Sequence, residues 1–183
     1  PGAQERPRPP APGPLFCRGA KGEKRKGNCS VKELSLSSPC FEEGGLIPTE
    51  HTGYGEDRSP ELVLTGLCEG AVTLALLLDD LDHPVPAYNH WVVWNIPPAA
   101  RLPGGLPGGG AVGPLDQAVQ GVGYGKNRYR GPKPPFRWSH RYRFQVFALD
   151  CRLELPPTSR KKQLLKAIQG HVLQEAALTG HFR

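Results

Sequence analysis

The sequence lacks an apolar run long enough to cross a membrane, and it lacks the cysteine spacing of a metal or redox site. Its longest apolar segment runs from Ala71 to Leu78 and stops at two aspartates, well short of the roughly 20 residues that a spanning helix needs. None of the five cysteines forms a C-x-x-C pair, so we predict neither a bound metal nor a redox dithiol. We expect free thiols and a cytoplasmic protein.

Signatures of catalysis are also missing. The chain contains no G-x-S-x-G nucleophile elbow, and the glycines before Lys126 complete neither a P-loop nor a dinucleotide fingerprint. We therefore predict no cofactor, and a protein that is not an enzyme. A hydrolase that uses Asp80 and His90 as acid and base stays open as an alternative.

The net charge of +6 is unevenly distributed along the chain. Residues 1–27 hold seven Lys/Arg against two acidic residues, which leaves sixteen basic and fifteen acidic residues in the remainder. This nearly neutral remainder favours no specific nucleic-acid binding. Six prolines among the first fourteen residues predict a flexible, basic, proline-rich arm over 1–27 and one ligand-binding domain over 28–183. An interaction protein that works through this arm is a second alternative.

After residue 31, short apolar segments alternate with Gly, Pro and Asp, a pattern typical of strands. The clearest segments are Leu62–Leu64, Val72–Leu78, Trp91–Ile96 and Tyr142–Leu149. Because strands dominate and one helix follows late, the pattern predicts a mainly β fold, a sandwich of antiparallel-dominated sheets with a C-terminal α-helix.

The predicted helix begins after Pro156-Pro157, with Thr158 or Ser159 as its cap, and ends at Gly180. Its apolar residues recur at helical spacing and so predict one buried stripe: Leu164, Leu165, Ile168, Val172 and Ala176. Gly170 would lie inside this helix, close to the sheet.

Polar residues gather where two of the predicted strands begin or end. Asp79, Asp80, Asp82 and His83 follow one apolar run, and His90 precedes the next. Because like charges raise one another's pKa, such a cluster is costly, and it indicates a polar pocket. A proline-rich loop, Gly131-Pro132-Lys133-Pro134-Pro135, then leads to His140-Arg141-Tyr142 and a further histidine.

These segments together resemble the phosphatidylethanolamine-binding protein family, in its bacterial and archaeal Raf-kinase-inhibitor-like branch. The first matching motif is the Asp80–Pro84 run followed by the strand that starts at His90-Trp91, and the second is the Gly131–Pro135 loop followed by His140-Arg141-Tyr142. The resemblance covers about residues 31–183. Leu81 and His83 depart from it, since they replace the proline and alanine of the first motif.

The resemblance implies a small anion pocket for phosphate or a phosphorylated head group such as that of phosphatidylethanolamine. The ligand-binding residues that it implies are Asp80, Tyr88, His90, Gly131, Pro134, His140, Tyr142 and Asp82. We expect both histidines to donate ring N–H groups and Asp80 to orient a histidine. Tyr88 and Pro134 would form the rim.

Three further expectations concern neighbouring residues and partners. Tyr142 would support His140, Asp82 would cap the turn, and His83 would be an exposed turn residue. The implied partner is a phosphorylated small molecule or a phospholipid head group. A protein partner, regulation of a kinase and a homodimer all stay open.

Overall fold

A large antiparallel sheet forms the centre of the protein. The computed structural model describes residues 16–17 and 33–183. The strands of the large sheet are β4 (Thr73–Asp80), β5 (Tyr88–Ile96), β7 (Ala111–Val112), β8 (Ala118–Gln120), β9 (His140–Leu149) and β11 (Val172–Phe182). They lie side by side in the order β11-β9-β4-β5-β8-β7. The long strands β4, β5 and β9 therefore adjoin one another, and the site described below lies at one end of them.

A smaller sheet and one helix cover the two faces of the large sheet. The small sheet contains β2 (Ser35–Ser37), β3 (Leu62–Thr65) and β6 (Arg101–Leu102), and the helix α1 spans Lys161–Ala167. Leu74, Leu76 and Leu78 of β4 belong to the core shared with the small sheet, whereas Ala75 and Leu77 belong to the core shared with α1. Because side chains alternate across a strand, covering both faces requires a continuous apolar run.

The predicted fold class is confirmed, but the predicted extent of the helix is wrong. The helix α1 ends at Ala167, and Val172 and Ala176 lie on strand β11, which pairs antiparallel with β9. Gly170 has a φ of 83° and forms the turn that separates the two elements. Arg160 caps the helix instead of Thr158 or Ser159. Gly180, expected at the helix end, lies within β11.

Gly180 illustrates why β11 packs so closely on the rest of the protein. A Cβ at this position would lie 2.6 Å from Ile47 Cγ1 and 2.9 Å from the Phe41 ring. Side chains buried along the end of the strand alternate with partly exposed ones, Leu178 and Phe182 being buried. This period of two is typical of a strand. It was overlooked because Val172 and Ala176 also fit the helical spacing of the predicted buried stripe.

Within the predicted basic arm, the structure describes only β1 (Phe16–Cys17), whose backbone pairs parallel with β10 (Arg152–Leu153). The rest of that arm lies outside the described residues, so its flexibility stays a prediction. Among the described residues three short 3-10 turns complete the fold, at Thr49–His51, Gly113–Leu115 and Pro135–Arg137. No helix in the described part of the chain has the length and apolar character needed to span a bilayer.

The expectation that all cysteines are free thiols is wrong for Cys151. Cys40 and Cys68 are free, but Cys151 is disulfide-bonded. The absence of C-x-x-C spacing does not exclude such a bond, because a disulfide can join cysteines that are far apart in the sequence. Disulfides persist mainly in oxidising compartments, so this bond weakens the argument for a cytoplasmic location, which stays a prediction.

Candidate functional site

A cavity of about 300 Å³ opens where β4 and β9 meet the loops that follow β4 and precede β9. Six of the eight residues predicted for the site line this cavity, namely Asp80, His90, Gly131, Pro134, His140 and Tyr142. Further lining residues are His83, Tyr124, Arg130, Lys133 and Pro135. The structure thus brings the two sequence motifs together, and their role in binding stays a prediction.

Asp80 lies at the floor of the cavity and organises it. Its carboxylate is 4% exposed and accepts a hydrogen bond from His140 Nδ1 at 2.8 Å and one from the backbone N–H of Asp82 at 2.9 Å. In the β4–β9 ladder Asp80 pairs with Tyr142, whose ring stacks on His140. Burial, followed by the charge of Asp80, raises the pKa of Tyr142, so the phenol stays protonated. Asp80 therefore holds His140 in one orientation.

His90 occupies a β-bulge on β5, which accounts for its position in the cavity. Leu78 pairs with Trp91 and Asp79 pairs with Asn89, so His90 is left between two paired positions. Bulges of this kind redirect a side chain next to functional sites. The ring of His90 is 5% exposed, with Nδ1 2.9 Å from the carbonyl oxygen of Arg130 and Nε2 4.0 Å from Asp80 Oδ2. Burial lowers the pKa of His90 below its usual value.

His83 lines the cavity, although it was expected to be an exposed turn residue. Its ring stacks on Tyr88 with centroids 4.3 Å apart, and its Nδ1 accepts the backbone N–H of Val85 at 3.0 Å. The rim is completed by Tyr124, whose ring meets the edge of Tyr88. The substitution of the motif's alanine by histidine thus adds a titratable ring to the cavity wall.

The proline-rich loop is fastened by contacts with the segment after the first 3-10 turn. The backbone N–H of Gly131 donates to Asp57 Oδ1 at 2.6 Å, and the hydroxyl of Tyr54 donates to the Pro134 carbonyl at 2.8 Å. A Cβ on Gly131 would lie 2.2 Å from the backbone oxygen of His51. Glycine at 131 is therefore required for close contact between backbones, which is a use that glycine alone permits.

Two basic side chains give the cavity its positive charge. The Arg130 guanidinium lies 3.5 Å from Asp57 and 5.5 Å from the centre of the Tyr124 ring. Lys133 lies over the Tyr54 ring at 5.4 Å, and within residues 33–183 it has no carboxylate partner. Both cations stand beside the two buried histidines, so the walls of the cavity offer positive charge above a floor that contains a carboxylate.

Two predicted residues lie outside the cavity. Asp82 accepts two hydrogen bonds from the Arg141 guanidinium and one from its backbone N–H, and these bonds lower the pKa of Asp82 to about 2. The turn is capped by Asp80, since the Asp82 N–H donates to it. Tyr88 lines a smaller neighbouring cleft of about 130 Å³, and it meets the cavity through ring contacts with His83, His90 and Tyr124.

Asp150, Cys151 and His171 bring three metal-ligand types close together elsewhere in the fold. Cys151 is disulfide-bonded and offers no thiolate, while His171 Nδ1 is hydrogen-bonded to Asp150 at 2.8 Å. This cluster is therefore a histidine–carboxylate pair beside a disulfide. His171 lies in the turn after the helix.

The geometry defines a class of protein: a β-sandwich with a compact polar pocket at one end of its central strands. Sequence comparison identifies the family to which the chain belongs. The model of the family described as phosphatidylethanolamine-binding protein matches residues 37–183, and the chain belongs to that family.

Archaeal relatives and a solved bacterial structure agree with this assignment. The chain is 39% identical to a UPF0098 protein of Pyrococcus horikoshii over 152 residues, which cover 81% of this chain and 77% of that protein. It is 41% identical to a UPF0098 protein of Methanothermobacter thermautotrophicus, over 82% of this chain and 99% of that protein. Its fold is similar to that of Escherichia coli YbcL, described as a member of the mammalian PEBP family, with a TM-score of 0.74 and 27% identity over 82% of this chain and 98% of YbcL.

Proposed function

We propose that this chain is a non-enzymatic binding protein whose cavity takes phosphate or the phosphate of a small phosphorylated molecule. The observation that carries the proposal is the convergence of His83, His90 and His140 with Arg130 and Lys133 around a cavity of about 300 Å³. Imidazole, guanidinium and ammonium groups are the side chains that recognise phosphate oxygens. The buried Asp80 would act through His140, which it orients.

The size of the cavity supports a small ligand. Its volume lies at the lower end of the range for small-molecule sites, roughly 300–1,000 Å³. The loop that bounds it is proline-rich and fastened at Gly131 and Pro134, so little ordering would accompany binding. A head group or a free phosphorylated metabolite would fit, and regulation of a kinase stays open.

An NMR titration of the full chain with O-phosphoethanolamine tests this proposal. We expect saturable shifts of the His90 and His140 ring signals, and loss of the His140 shift in the variant Asp80→Ala with His90→Ala. The control variant Asp150→Asn, which alters a histidine–carboxylate pair outside the cavity, should titrate like the parent chain. Equal binding by the parent and the pocket variant would overturn the proposal.

The hydrogen-bonded Asp80–His140 pair keeps a hydrolase as the second candidate. A carboxylate that orients an imidazole is half of a general-base arrangement. The lining of the cavity contains no serine, threonine or cysteine in the described part of the chain, so water would have to be the nucleophile. Turnover of a phosphate or carboxylate ester that is abolished by His140→Asn, with the fold unchanged, would favour this candidate over binding alone.

A further inference from the structure

The tautomer of His90 restricts which ligands the cavity can bind. Its Nδ1 lies 2.9 Å from the Arg130 carbonyl oxygen, and a carbonyl can only accept a hydrogen bond. The ring proton of neutral His90 is therefore on Nδ1, and Nε2 carries a lone pair. Nε2 lies toward Asp80 Oδ2, at 4.0 Å, and a carboxylate is also an acceptor. A ligand atom that contacts both His90 Nε2 and Asp80 Oδ2 therefore binds best when it carries a proton that it can donate.

The orientation of His140 is set by the Asp80 carboxylate. Its Nδ1 donates to the Asp80 carboxylate at 2.8 Å, so its Nε2 carries a lone pair whenever the ring is neutral. His90, whose pKa is lowered by burial, is thus the buried histidine that offers an acceptor, contrary to the expectation that both histidines donate ring N–H groups. The floor of the cavity therefore contains two acceptors, the Asp80 carboxylate and His90 Nε2, which would repel an oxyanion that has no proton of its own.

Donors are supplied by other side chains of the cavity. His83 Nδ1 accepts the Val85 N–H, so neutral His83 carries its proton on Nε2 and is a donor. Arg130 and Lys133 add charged donors to the same lining. The cavity therefore combines an accepting floor with donating walls.

We infer that the cavity selects a tetrahedral oxyanion that still carries a proton, namely hydrogen phosphate or the monoanion of a phosphate monoester, over sulfate and phosphodiesters. This inference rests on the proposed function. The P–OH group would donate to His90 Nε2, and the unprotonated oxygens would accept from His83, Arg130 and Lys133. A diester has a single acidic proton and loses it far below neutral pH, so the linked phosphate of an intact phospholipid would be a poor ligand, whereas a free phosphomonoester would be a good one.

The surroundings of His90 favour its neutral form. The groups that face it are Tyr88 from its own strand, Asp80 from β4, His83 from the loop after β4, Tyr124 from the loop before β9, and Tyr142 from β9. Asp80 favours a proton on His90, while His83 and, above all, burial oppose it. In its neutral form His90 keeps the lone pair on Nε2, and this lone pair selects an anion that carries a proton.

The test compares two anions of the same shape and charge that differ in one proton. At pH 8, we would titrate the full chain with phosphate and with sulfate, following binding by calorimetry and the His90 ring nitrogens by NMR. We expect phosphate to bind at least about tenfold more tightly, since sulfate would leave a buried acceptor unmatched. The free chain should show the Nε2 signal of an unprotonated ring nitrogen.

A second pair of ligands separates a lipid source from a free metabolite. At pH 6, where about half of a phosphate monoester keeps its proton, O-phosphoethanolamine should bind at least about tenfold more tightly than glycerophosphoethanolamine, the diester. His90→Gln can present an amide donor, so it should bring the ratio of phosphate to sulfate affinity close to one. His171→Gln, outside the cavity, should leave the ratio unchanged.

The outcomes separate this inference from the proposed function. Equal affinities for phosphate and sulfate, with a protonated Nε2 signal, would overturn the inference and leave an anion pocket in place. An unchanged ratio in His90→Gln would also overturn it, because another group would then be selecting the proton. If no anion shifts the His90 or His140 signals, the proposed function itself fails.

Discussion

Replacing Lys161 with methionine should destabilise the protein by removing the partner of a buried carboxylate. Asp79 is 1% exposed, and the Lys161 ammonium lies 2.6 Å from its Oδ2 while also donating to the Ala87 carbonyl at 3.1 Å. This pair fastens the first residue of α1 to the end of β4, directly beside Asp80. Methionine retains the length and most of the apolar stem of lysine but provides no charge.

The expected loss is about 2–4 kcal/mol. Breaking a buried ion pair by removing one partner costs about 3–5 kcal/mol. Here two features reduce the cost: Asn89 Nδ2 still donates to Asp79 Oδ1 at 3.1 Å, and the Arg143 guanidinium lies 4.0 Å from Oδ2. For a chain of this size the loss corresponds to a fall in Tm of about 4–16 °C.

Urea denaturation followed by circular dichroism measures this loss, with Lys162→Met as the matched control. Lys162 is exposed and adjacent, so its substitution should change the free energy of unfolding by less than about 0.5 kcal/mol. The double variant Asp79→Asn with Lys161→Met removes both charges and should recover much of the loss. Equal stability of Lys161→Met and Lys162→Met would refute the reasoning, since Asp79 would then not need its partner.

Three further predictions concern the turn after β4, the proline-rich loop and the disulfide. Asp82→Asn should lower the free energy of unfolding at pH 7 by less than about 1 kcal/mol, because its ion pair with Arg141 is largely exposed. Since the pKa of Asp82 is lowered to about 2 from 3.8, this stabilisation should disappear as the pH falls from 3.8 to 2. Gly131→Ala should cost about 1–3 kcal/mol in urea denaturation, because the new Cβ would meet the His51 backbone oxygen. Alkylation of the unfolded, unreduced chain should leave the Cys151 peptide unmodified in mass spectrometry, and prior reduction should expose it.

Each of these three has its own control or contrary result. Gly113→Ala introduces a Cβ with nothing within 4 Å, so it should have little effect, and similar losses at both glycines would contradict the steric argument. A difference between Asp82→Asn and the parent that persists unchanged at pH 2 would contradict the assigned pKa. Alkylation of Cys151 without reduction would exclude the disulfide.

The central strands were predictable because apolar runs of strand length mark them in the sequence. The apolar run that ends at Leu78 had to be covered on both faces, and β4 is buried from Thr73 to Asp80. The end of the chain was misread since Leu164 and Ile168 fit both a short helix and a longer one. The left-handed backbone of Gly170 forms the turn that follows the short helix. Only the structure shows that the chain turns at this residue.

The floor of the site was predictable from motifs, whereas its walls were not. Asp80, His90 and His140 lie at strand ends, where their neighbours in sequence determine their position. Arg130 and Lys133 lie in a loop whose placement depends on the contact between Gly131 and Asp57, which are 74 residues apart in the chain. Contacts of that range leave no local pattern, so composition and periodicity could not reveal them.

The covering of strand β11 has a consequence for self-association. As the outer strand of the large sheet it would offer unpaired N–H and C=O groups to another molecule. Gly44 and Ile47 instead donate backbone N–H groups to the carbonyls of Thr179 and His181. At the other end of the strand, Gln174 extends its amide to the backbone of Gly66 and Cys68. Joining two copies into one continuous sheet along this edge would require displacing the chain's own cover, so any homodimer would have to form through another face.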